Sequence, residues 1–87
     1  MRINKEFVIR EIAGDFIIVP TGSTALQFNG LMTVNEVGAF LWKLLQQETT
    51  EEALVQNVVS EYDVEEETAR QDIEEFLQQL RNNCIID

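Results

Sequence analysis

Carboxylates are the most plentiful reactive groups in this chain, and acid–base catalysis would need two of them at a controlled spacing or one beside a histidine. Glu65, Glu66 and Glu67, and then Glu74 with Glu75, are the candidates, but each run falls on a predicted helix surface, where solvated charge is the ordinary role. The 87 residues contain no histidine, which removes Ser–His and Cys–His nucleophilic pairs together with the commonest metal ligand. The one cysteine, Cys84, can neither close an internal disulfide nor build a Cys/His metal site. It opens the apolar run Cys84, Ile85, Ile86 and is expected to be a buried structural thiol. Gly14, Gly22, Gly30 and Gly38 stand singly, so no phosphate-cradling loop is present. The reading is of a chain with no catalytic residues, no metal and no cofactor, built to hold something.

The elements that would do the holding follow from periodicity and capping. Phe7 to Ile12 is rich in β-branched and aromatic residues, and Ala13, Gly14 and Asp15 turn it into a second strand, Phe16 to Val19. Gly14 suits the positive φ of a tight hairpin, which the Ala13 methyl would resist. Pro20, Thr21, Gly22 and Ser23 predict a second reversal. Thr24 to Phe28 then alternates, Leu26 and Phe28 on one face and Ala25 and Gln27 on the other, as a third strand should. That strand would lie at a sheet edge without proline, lysine or charge to guard it, an open template for a partner strand.

Three helices follow. Thr33 or Asn35 can cap the first, Thr33 forming a capping box with Glu36, and Val37, Phe40, Leu41, Leu44 and Leu45 recur at helical spacing as far as Gln46. Trp42 widens this apolar surface and is assigned to the core. Thr49 with Glu52 predicts a second capping box and a helix closed by Tyr62; Asp63 with Glu66 predicts a third. Along helix three, Ala69, Ile73, Phe76, Leu77 and Leu80 form one stripe, with Arg70 and Glu74 on one flank and Asp72 and Gln79 on the other. Asn82 and Asn83 end it, since Asn tolerates the left-handed conformation.

Composition limits the partners. The 45% hydrophobic content is enough to fold one domain over residues 1–87, an α+β unit of a three-stranded antiparallel sheet followed by three helices. Sixteen acidic against six basic residues give a net charge of −10, most of it between Glu48 and Glu75, a field that repels phosphate backbones and anionic membranes. No nucleic acid and no membrane are expected as partners, whereas a basic peptide or protein would be drawn in. Neither a signal core nor an apolar run of membrane-spanning length is present, so the expected location is cytoplasmic. A carrier protein with a phosphopantetheine arm does not fit, because Ser23 and Ser60 sit in Gly-Ser-Thr and Val-Ser-Glu rather than Asp-Ser-Leu. A winged-helix DNA binder has the right elements, but helix three carries only Arg70 and Arg81 among many acids.

The stretch Val34, Asn35, Glu36, Val37, Gly38, Ala39, Phe40, Leu41, Trp42 resembles the Leu-Asn-Glu-Thr-Gly-x-x-Ile-Trp segment of PqqD-like proteins, named for pyrroloquinoline quinone biosynthesis. Thr50, Glu51, Glu52 and Leu54, then Tyr62, Asp63 and Val64, and Asp72, Ile73, Phe76 and Leu77, continue the likeness over roughly residues 7–86. Asn83 departs from it, standing where such proteins more often have glycine. The resemblance implies a small winged-helix-like peptide-recognition domain. Such a domain binds the leader segment of a ribosomally made precursor peptide as an added strand and presents it to a tailoring enzyme, often a radical SAM protein. On that reading Ala25, Leu26, Gln27 and Phe28 offer backbone groups to the leader, and Arg70, Ile73, Glu74 and Leu77 contact its side chains. Which flank of helix three lines the groove is left open. The alternative is a non-catalytic module that homodimerises through the same edge, so both monomer and homodimer are carried forward.

Overall fold

The computed structural model describes residues 1–4, 6–22 and 32–86. In chain order these form β1 (Phe7–Ile12), β2 (Asp15–Pro20), β3 (Met32–Val34), α1 (Glu36–Leu44), α2 (Glu51–Tyr62) and α3 (Glu66–Asn82). The sheet is antiparallel in the order β1-β2-β3, and with the helices it makes a winged-helix-like α+β fold. The strand expected at Thr24–Phe28 lies outside the described residues. Met32–Val34, read from sequence as the approach to a helix cap, is a strand that pairs Phe16 with Val34, Ile17 with Thr33 and Ile18 with Met32.

The β1–β2 hairpin closes between Ile12 and Asp15, leaving Ala13 and Gly14 as a two-residue turn. Both have positive φ, 54° and 87°, as the right-handed twist of the strands demands of so tight a connection. The Ala13 methyl therefore does accept the conformation it was expected to resist. Cross-strand neighbours share a face. Phe7, Ile18 and Val34 bury theirs against the helices, and Ile18 is fully enclosed.

Beneath the sheet, Leu41, Trp42 and Leu45 of α1 and its end pack with Leu54, Val55 and Val58 of α2 and with Ala69, Ile73, Leu77 and Leu80 of α3. Trp42 is in this core, as its place in the apolar surface of α1 predicts. The chain ends are drawn in by backbone bonds: the Ile3 N–H donates to the Leu45 carbonyl at 2.9 Å, and the Asn4 N–H to the Ile85 carbonyl at 2.8 Å.

Caps account for the differences from expectation at the helix ends. Thr33 is committed to β3, so Asn35 alone caps α1, its side chain accepting the Gly38 N–H at 2.8 Å. The α2 cap is Thr50, whose hydroxyl accepts the Ala53 N–H at 3.2 Å, because the Thr49 backbone is already bonded to Met1. Asp63 caps no helix start; it takes the left-handed conformation that ends α2, and Glu65 opens α3 without a side-chain cap bond. At the far end of α3 the Ile85 N–H donates to the Leu80 carbonyl and the Cys84 N–H to the Arg81 carbonyl, a Schellman pair. The left-handed residue is thus Cys84 (φ 58°), not an asparagine. This geometry turns the thiol outward while Ile85 and Ile86 go inward, so Cys84 is exposed rather than buried.

Candidate functional site: a groove between β3 and α3

Among the described residues no strand lies on the outer side of β3, and beside it runs an open groove of about 290 Å³. Thr33, Val34 and Asn35 form one wall, Val37, Gly38 and Leu41 of α1 the end and floor, and Asp72, Glu75, Phe76 and Gln79 of α3 the opposite wall. Buried Val34, Gly38 and Leu41 lie deepest; half-buried Val37 and Phe76 line the sides; exposed Thr33, Asn35, Asp72, Glu75 and Gln79 make a polar rim. An apolar floor with a polar rim binds side chains by burial and orients them by hydrogen bonds.

The groove exists because α1 starts very close to β3. A Cβ at Gly38 would stand 2.9 Å from the Val34 Cβ and 3.3 Å from the Phe76 ring. Only glycine permits that approach, and the Asn35 cap fixes the helix start that delivers it. The Asn-x-x-Gly spacing of residues 35–38 therefore sets the junction of all three groove walls.

The sites expected from sequence divide clearly. Ala25, Leu26, Gln27 and Phe28 lie outside the described residues. Ile73 and Leu77 have no exposed surface and serve the core beneath Phe76. Glu74 is exposed and is not among the groove-lining residues. Arg70 turns to α2, where its guanidinium meets Glu52 at 2.9 Å and Glu66, one turn earlier on its own helix, at 3.6 Å. The hydrogen bond from Arg70, a second from Gln56 and the Arg70 charge hold the Glu52 carboxyl below its ordinary value; the same pairing raises Arg70. The flank of α3 that lines the groove is the one carrying Asp72 and Gln79.

Sequence reasoning assigned no role in binding to Gly38, Val34 or Glu75. Gly38 carried a readable signal, since a glycine inside the first turn of a well-capped helix costs about 1 kcal/mol against alanine and calls for a packing reason. Among the described residues no cluster of His, Cys, Asp and Glu is placed to hold a metal, and no helix is long and apolar enough to cross a membrane.

A family model described as coenzyme PQQ synthesis protein D (PqqD) matches residues 16–86 of the sequence. No curated protein matches it. Two solved structures share its fold. "TbiB1 in Complex with the TbiA(beta) Leader Peptide" superposes with a TM-score of 0.78 at 25% identity, covering 100% of this chain and 95% of that one. "Lasso peptide synthetase B1 complexed with the leader peptide" superposes with a TM-score of 0.73 at 20% identity, covering 97% and 93%.

Proposed function

This chain belongs to the PqqD family, and we propose that it captures the leader segment of a ribosomally synthesised precursor peptide and presents that peptide to a tailoring enzyme. The observation that carries the reading is the position of β3, at the edge of the sheet among the described residues and facing α3 across a groove. An extended peptide that paired with β3 would complete backbone hydrogen bonds on one side and lay alternate side chains over Val34, Leu41 and Phe76 on the other. TbiB1, similar in fold over the whole of this chain, is a protein solved with a leader peptide bound, which supports the same role here.

In this reading the chain does no chemistry. It fixes the substrate's leader, raising the local concentration of the segment to be modified beside a separate catalyst. A radical SAM enzyme in the cytoplasm is the catalyst we propose. The leader would make its backbone contacts with β3 and with Ala25–Phe28, which lie outside the described residues.

The test is titration of candidate precursor peptides into isotopically labelled protein. Amides of Met32–Val34, Gly38 and Asp72–Gln79 are expected to shift together on binding. Shifts confined to other surfaces, or none with any of these peptides, would overturn the reading. Size-exclusion chromatography across concentration addresses the edge itself. A concentration-independent dimer that buries β3 would mean that a second copy takes the place of the leader.

A further inference from the structure

We infer that the groove selects its peptide by charge, taking an extended apolar segment that also carries a Lys or Arg. The inference rests on the peptide-capture reading above and specifies its ligand. Asp72 and Glu75 stand on the groove rim, and neither has an ion pair or hydrogen bond among the described residues. Among the described residues no lysine or arginine lines the groove: Arg70, the basic residue nearest them on α3, is held by Glu52 on the α2 side. A cation brought by the ligand is the complement that this wall lacks.

Val34, Gly38 and Leu41 are buried at the bottom of the groove and take the ligand's apolar side chains, while exposed Asp72 and Glu75 on the α3 wall take its cation. An acidic residue in the cation's place would meet two like charges in a half-enclosed groove, so the same wall rejects as well as attracts.

The test is selection of random 12-residue peptides by mRNA display against three forms of the full chain: wild type, Asp72→Asn with Glu75→Gln, and Glu61→Gln with Glu67→Gln. The last pair removes the same two charges from helix surfaces away from the groove. Wild type and the Glu61/Glu67 variant should enrich apolar segments that carry Lys or Arg. The Asp72/Glu75 variant should lose that pattern. For an enriched peptide, replacing the basic residue by Glu should weaken binding to wild type about tenfold by fluorescence anisotropy, and by far less in the Asp72/Glu75 variant. Circular dichroism confirms that each variant is folded. Enrichment without a basic residue, or a pattern unchanged in the Asp72/Glu75 variant, would overturn this inference while leaving peptide capture standing. Basic enrichment lost equally from both variants would assign it to the overall field of the protein and overturn it too. Failure to enrich any peptide that shifts the amides of β3 and the groove would instead strike at the capture reading, and this inference would fall with it.

Discussion

At the scale of single residues, the informative positions are those whose backbone disagrees with their side chain. Ala13 and Cys84 both take positive φ, 54° and 58°, where a Cβ costs about 1 kcal/mol or more, and both are exposed, so neither gains packing in exchange. Ala13→Asn makes the hairpin turn Asn-Gly, the pair best suited to two positive φ values, and Cys84→Gly places the favoured residue in the Schellman position. Each should raise stability by about 1 kcal/mol, which for a chain of this size is a Tm higher by roughly 4 °C or more in a thermal melt. An unchanged Tm would contradict the strain. Sequence pointed to Gly14 because glycine announces its freedom, but it concealed the demand on Ala13 and Cys84. That demand comes from the register of the hairpin and from the bonds of Ile85 and Cys84 to α3, which no local propensity encodes.

Elements are positioned here by junctions rather than by length. At the Val34–Gly38 junction, helix propensity and packing predict opposite outcomes. Gly38→Ala would stabilise an isolated helix by about 1 kcal/mol, but the added methyl stands 2.9 Å from Val34, so overpacking should cost about 1–3 kcal/mol in chemical denaturation and push Phe76 into the groove. A stabilised Gly38→Ala protein would mean that β3 and α1 yield easily. The junction of α2 with α3 is electrostatic at its surface. Because the folded Glu52 carboxyl is held below the ordinary value of a free glutamate, its contribution is fully present above that ordinary value and is lost as pH falls through the depressed one. Glu52→Gln should therefore melt below wild type at neutral pH, and the two should converge once wild-type Glu52 is protonated. Divergence that persists in acid would point to packing instead.

For the whole molecule, a net charge of −10 on 87 residues means that self-repulsion opposes folding, although Arg70 pairs with the carboxylates of Glu52 and Glu66. Raising NaCl from 0.05 to 0.5 M (about 14 to 4 Å in screening length) should increase Tm, whereas a fall would assign net stabilisation to the surface pairs. Much of this architecture was legible in the sequence. The hairpin, three helices, the buried Trp42 and the α3 stripe all follow from periodicity, and the absence of histidine leaves the chain without the commonest acid–base group. Less was legible at the site, because a groove is a relation between distant segments: nothing local says that Val34 will meet Phe76, or which flank of α3 will face β3. The openness of the groove has a kinetic consequence. Backbone bonds to β3 contribute about 1 kcal/mol each to an added peptide, and the side chains it lays in the open groove supply the rest of its grip. Complexes held this way at micromolar strength dissociate in about 0.1–10 s, fast enough for one copy to serve a succession of substrates rather than be consumed by the first.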